Sequence, residues 1–138
     1  MSGSASQRCA LVAGSLGLVG SRLLVALHDA GWTTMGIARG AAPEAASAQT
    51  RHRHLQLNLC DADACREQLA PLASEVTHVF FAARASDPDP LEETRANLAM
   101  LTHLLDPLQG PRSALTHVCL VHGSKWYGSH LGPYPTPA

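Results

Sequence analysis

The sequence predicts one α/β domain, a parallel β-sheet with helices wound over both faces. Three observations predict it. Short continuous apolar runs of strand length alternate with segments of helical spacing along the chain. The first of these runs ends in a glycine-rich turn that opens a helix. The 138 residues, 46% of them hydrophobic, are enough for a single core. Right-handed crossovers then make the sheet doubly wound, with an expected strand order of 3-2-1-4-5.

The first strand is Cys9–Ala13, a wholly apolar run that suits a strand buried on both faces. Residues 18–30 follow as a helix, with Leu23, Leu24, Leu27 and His28 at helical spacing and Gly31 placed to end it. The second strand spans 33–37. Residues 41–50, small and containing Pro43, read as a loop with a short helix. The third strand spans 54–59, and a helix over 61–72 begins at Asp61 as N-cap. The fourth strand is 76–82, followed by the proline-containing loop 86–90. The longest helix covers 91–108, residues 110–113 turn the chain, and 115–121 form the fifth strand. Residues 131–138 carry three prolines and read as an extended tail. No internal repeat or low-complexity tract interrupts this order.

A net charge of -1 gives no basic field for nucleic acid or anionic lipid. No stretch approaches the roughly 20 apolar residues of a membrane span. The apolar stretch after Arg8 is broken by Gly14, Ser15, Gly17, Gly20 and Arg22, which argues against a signal peptide. Cys9, Cys60, Cys65 and Cys119 form no C-x-x-C pair and read as reduced thiols of a cytoplasmic protein. His52 and His54 lack a third ligand at credible spacing, so no metal is expected.

The chemistry is concentrated in Gly14-Ser15-Leu16-Gly17-Leu18-Val19-Gly20. Gly14 permits a tight turn, Gly17 lets the main chain approach a diphosphate, and Gly20 allows close helix–strand packing. Amides at the helix start, together with its dipole, then favour phosphate. This strand–turn–helix context is that of a Rossmann dinucleotide site. An NAD enzyme usually carries an acid at the end of the second strand, where this chain has Arg39, 25 residues after Gly14. A guanidinium there suits a 2′-phosphate, so the expected cofactor is NADP(H), with Arg51 and Arg53 as possible additions to the basic patch.

Four stretches resemble a known family: ALVAGSLGLVG at 10–20, GIARG at 36–40, THVFF at 77–81 and HGSKWYGSHLGP at 122–133. The chain is similar, over nearly its whole length, to the progesterone 5β-reductase/iridoid synthase-like branch of the extended short-chain dehydrogenase/reductases. These are Rossmann proteins of the NAD-dependent epimerase/dehydratase kind. The resemblance implies NADPH-dependent reduction of activated C=C bonds in enones and enals, or of carbonyls. It matches Lys125 to the catalytic lysine, Gly14, Ser15, Gly17, Leu18 and Val19 to the phosphate turn, and Arg39 to the reader of the 2′-phosphate. It puts adenine at Asn58 and Leu59, where the wider superfamily often has Asp, and the nicotinamide side near Ala82, Ala83 and Arg84. His122 departs from the family's small polar residue. Tyr127 lies within the lysine segment and is not taken for the catalytic tyrosine. That tyrosine and the substrate-binding half would lie beyond residue 138, so residues 1–138 read as a truncated NADP(H)-binding domain.

In such a reduction, hydride delivered to the β-carbon builds charge on the carbonyl oxygen, which Lys125 would stabilise directly or through a tyrosine. His122 and His130 flank this lysine but read better as surface or packed side chains. Two alternatives stay open: a non-catalytic NADP(H)-binding or regulatory module, and a sugar-nucleotide epimerase or dehydratase relative that would use Ser124. The expected partners are a small enone, enal or ketone and either a second copy of the chain or the missing half.

Overall fold

The computed structural model describes residues 7–44 and 50–123. Five strands form one parallel sheet: β1 (Cys9–Ala13), β2 (Thr33–Ala38), β3 (His52–Gln56), β4 (His78–Phe81) and β5 (His117–Leu120). Their order is β3-β2-β1-β4-β5, as the alternation of elements predicts. The helices are α1 (Leu18–Asp29), α2 (Ala62–Leu69) and α3 (Pro90–Leu105).

β1 lies at the centre, and all five of its residues are buried, which is why it is apolar throughout. Its side chains alternate between two cores. Ala10 and Val12 meet Leu23, Leu24 and Leu27 of α1, together with Trp32 and Phe80. Leu11 and Ala13 join a larger core with Met35, Ile37 and Val79 from the sheet, Cys65 and Leu69 from α2, and Met100 and Leu104 from α3. The sheet is thus covered on both faces. Outermost β5 is the least covered strand, with Val118, Leu120 and Val121 at its edge about 40% exposed.

Helix ends follow local chemistry. Gly31, at φ +87, ends α1 in a conformation other residues avoid. Asp61 caps α2 by accepting from the Ala64 amide at 3.0 Å, as predicted. Asp89 caps α3, with Pro90 at its first position. Both later helices stop short of their predicted ends and continue as 3-10 turns, over Ala70–Leu72 and Asp106–Leu108. Pro71 and Pro107 supply the reason, since neither can donate the next helical hydrogen bond.

Two strands shift from expectation. β3 lies over His52–Gln56 rather than 54–59. Its partner β2 ends at Ala38, and the Leu57 amide makes the last link, to the Ala38 carbonyl at 2.9 Å. Leu57 and Leu59 remain buried beyond the ladder, so their alternation reports burial without pairing. β4 is shorter than 76–82 because Val76 donates to Leu72 in the preceding turn. Residues 45–49, within the stretch read as loop and short helix, lie outside the described residues, as does the tail.

Candidate functional site

A cleft of about 740 Å3 opens at the carboxyl ends of β1 to β4, at the point where the strand order reverses. The turn after β1 forms its floor. Gly14 has φ +81, and a Cβ there would stand 2.7 Å from the Ala82 carbonyl oxygen, so the turn and the end of β4 are in close contact. A Cβ on Gly20 would collide with the Gly14 carbonyl. Gly17 has ordinary extended backbone and lines the cleft.

Hydrogen bonds decide which amides are available to a ligand. Gly14 and Ser15 both donate to the Ile37 carbonyl, at 3.0 and 3.1 Å, which ties the turn to β2. Gly17 donates to Gly14, and the first helical bond of α1 runs from Ser21 to Gly17. The amides of residues 18–20 therefore have no acceptor within the helix. Gly17 offers no side-chain cap and the first turn holds no acid, so this end of α1 is electropositive and uncapped. A diphosphate fits such a cradle: Gly17 brings no side chain into the cleft there, and the donors are unmatched.

Of the residues singled out for cofactor contact, the cleft brings together Gly14, Gly17, Arg39, Asn58, Leu59, Ala82, Ala83 and Arg84. Ser15 is buried behind the turn, its Oγ without a partner among the described residues and its side chain against Gly36. Gly20 is buried beneath Gly14, and the side chains of Leu18 and Val19 stand in solvent outside the lining. Lys125, Ser124, Tyr127 and His130 lie outside the described residues. His122 is exposed just after β5.

Arg39 follows β2, exposed on the cleft wall, and no acid pairs with it among the described residues. Its own segment is strapped to β3: Gln56 Nε2 donates to the Arg39 carbonyl at 3.0 Å, and His54 Nε2 to that of Gly40 at 2.8 Å. Arg51 and Arg53, read as additions to the same patch, are not there. Arg51 donates to the Gly31 carbonyl at 2.8 Å, and Arg53 pairs with Glu75 at 2.7 Å. Both sit at the start of β3, and in a parallel sheet that is the end opposite the cleft.

Several contacts that shape the cleft walls carry no sequence signal. Arg84 is paired with Glu93 of α3 at 2.6 Å. Asn97, also on α3, takes the Ala85 amide on Oδ1 and donates Nδ2 to the Ala85 carbonyl, fixing the loop after β4. His103 donates Nδ1 to the Leu59 carbonyl at 2.7 Å and so holds the segment after β3. A mid-helix Asn or His would be read as surface, and nothing local marks either as an anchor. Cys60 is an exposed free thiol on the cleft wall, whereas burial raises the Cys65 thiol and lifts that of Cys9 to about 11. His52 makes a hydrogen bond to Thr34 Oγ1 at 2.9 Å, and burial lowers its pKa.

The doubly wound sheet, the crevice at its switch point and the glycine turn on its floor define a Rossmann-type protein. The model of the NAD dependent epimerase/dehydratase family matches residues 10–136, and the chain belongs to that family. It is 34% identical over 130 residues to a 3-oxo-Delta(4,5)-steroid 5-beta-reductase of Arabidopsis thaliana, covering 91% of this chain and 32% of the relative. It is 32% identical to an (S)-8-oxocitronellyl enol synthase of Camptotheca acuminata, covering 93% of this chain and 33% of that one. The chain therefore spans about a third of the length of the curated relatives it matches. A crystal structure from Burkholderia cenocepacia superposes with a TM-score of 0.71 at 27% identity, over 88% of this chain and 39% of the other. A short chain dehydrogenase from Leptospira borgpetersenii, solved with bound NAD+, shares the fold with a TM-score of 0.63 at 16% identity, over 75% and 45% of the two chains. The chain is thus a relative of extended short-chain reductases. No helix among the described residues is long and apolar enough to cross a membrane.

Proposed function

We propose that this chain is the NADP(H)-binding portion of a reductase acting on activated C=C bonds of enones or enals, or on carbonyls. The observation that carries the cofactor choice is Arg39: a guanidinium with no acidic partner among the described residues, on the cleft wall, where an acid would serve the ribose 2′-hydroxyl of NAD. The substrate class is supported by the names of the relatives, a reductase of 3-oxo-Delta(4,5)-steroids and an 8-oxocitronellyl enol synthase.

When bound, NADPH supplies the hydride. The amides of residues 18–20 would hold the diphosphate, and the Arg39 guanidinium would take the 2′-phosphate. Asn58 and Leu59 would flank adenine, and Ala82 and Ala83 the nicotinamide side, with Arg84 restrained by Glu93. Lys125 stabilises charge on the substrate oxygen.

Titration of the chain with NADPH and NADH, followed by nicotinamide fluorescence, tests the reading. Arg39 should favour NADPH by about tenfold or more, and R39A should remove most of that preference, since a hydrogen bond to a charged group contributes about 1.5–3 kcal/mol. Equal affinity of the unaltered chain for the two dinucleotides would refute the assignment.

A further inference from the structure

We infer that His78 and His117 together bind a late first-row divalent metal ion of the Ni2+, Cu2+ or Zn2+ kind, which ties the outermost strand β5 to β4. Each residue is the first of its strand, so the pair lies at the end of the parallel sheet opposite the cleft. The two are register partners across β4 and β5 and therefore share one face of the sheet. That face is the α1 side, because Phe80, two residues after His78, packs there with Trp32.

The rings are spaced as a chelate requires. Their centres are 5.7 Å apart, with planes inclined by 35°. Two imidazoles on one ion, each with a metal–nitrogen distance of about 2.0–2.1 Å, have ring centres about 5–6 Å apart. The chain also sets which nitrogen of His78 can ligate. Thr77 Oγ1 donates its one hydrogen to the Cys9 carbonyl at 3.0 Å and accepts from the Cys9 amide at 2.9 Å. With that hydrogen committed, the contact of 2.8 Å between Thr77 Oγ1 and His78 Nδ1 has Nδ1–H as its donor. The lone pair therefore sits on Nε2, and the Thr77 oxygen orients the ring as the outer partner of a ligating histidine does. Trp32 packs edge-on against the same ring at 4.7 Å. His117 is exposed and makes no side-chain hydrogen bond among the described residues, so its ring can turn a nitrogen toward the same ion. No group of three or more His, Cys, Asp or Glu converges among the described residues, so water completes the coordination shell. Imidazole nitrogens suit late transition metals, whereas Mg2+ and Ca2+ want oxygen.

Calorimetric titration of the full chain with NiCl2 at about pH 7.5 tests the site. Nickel is the probe because the exposed Cys60 thiol would compete for zinc. One Ni2+ should bind with a dissociation constant below about 100 µM, and H117N should weaken it at least about tenfold. H52N, on the distant strand β3, should leave it within about twofold. In W126F, which retains Trp32 as its one tryptophan, bound paramagnetic Ni2+ should quench the fluorescence, and H117N should abolish that quenching. No nickel uptake by the unaltered chain overturns the inference. So does binding that H117N leaves unchanged, or quenching that persists in it. His117 is exposed, so H117N should fold, and the Trp32 signal of the unaltered background decides by itself if it does not. None of these readouts involves a dinucleotide, so they stand or fall apart from the cofactor proposal.

Discussion

Gly14 and Gly17 lie three residues apart in one turn, yet alanine should harm them in different ways. At Gly14 the backbone sits at φ +81, where a side chain costs about 1–2 kcal/mol. The added Cβ would also stand 2.7 Å from the Ala82 oxygen and 2.8 Å from the Ala83 nitrogen, both main-chain atoms that cannot rotate away. Forcing that contact apart costs about 1–3 kcal/mol. Stiffening of the unfolded chain returns about 0.4–1 kcal/mol, which leaves a net loss of about 1–4.5 kcal/mol for G14A. At a urea dependence of about 2 kcal/mol per molar, the midpoint should fall by about 0.5–2 M. Gly17 has φ -77 and ψ 170, and its nearest obstacle is the Gly14 oxygen at 3.3 Å. G17A should therefore lose less than about 1.5 kcal/mol, most of it from poorer N-capping. Its methyl group would project where a diphosphate is proposed to rest, and NADPH affinity should drop by about tenfold or more. Urea unfolding followed by circular dichroism, paired with nicotinamide fluorescence titration, separates the two effects. A G14A protein as stable as the unaltered chain would refute the steric reasoning, and a G17A protein that binds NADPH undiminished would refute the placement of the diphosphate.

Two further outcomes are expected. Burial, reinforced by His54 and His28, holds the pKa of His52 below its ordinary value, and burial with His117 and Arg8 does the same for His78. In the unfolded chain these rings take up protons near pH 6.5, before the folded ones do, so their contribution to stability is complete above about pH 6.5 and is lost as pH falls toward the depressed folded values. The urea midpoint should fall between about pH 7.5 and 5.5, and H52N should flatten that slope; a midpoint that holds or rises on acidification would contradict the assignment. Among the thiols, Cys60 should react first with a thiol reagent while buried Cys9 and Cys65 stay slow, and NADPH should protect Cys60 because it lines the cleft. Unchanged labelling of Cys60 in saturating NADPH would place the dinucleotide elsewhere.

The elements most legible in the sequence are those with local causes. β1 was readable to the residue because burial on both faces demands an unbroken apolar run, and the Gly14 turn because φ +81 demands glycine. Strand order followed from the alternation of elements and the handedness of crossovers. The boundaries of β3 were not readable, since Leu57 and Leu59 alternate like a strand although the partner strand has already ended at Ala38. Arg51 and Arg53 carried a lesson that topology alone contains. Residues at the start of a parallel strand lie at the end of the sheet away from the crevice, whatever their charge.

The sequence by itself determined the doubly wound sheet, the glycine-rich turn and the guanidinium after β2, because each depends on a few neighbouring residues whose backbone or charge leaves little choice. Tertiary structure alone decided which side chains share the cleft. From α3, Asn97 and His103 fasten the segments after β4 and β3 that wall it, Glu93 engages Arg84, and the Cys60 amide orients Asn58. Those relations depend on how far helices and strand ends lie from one another in space, a distance set by the packing of the whole core and by no local stretch of chain.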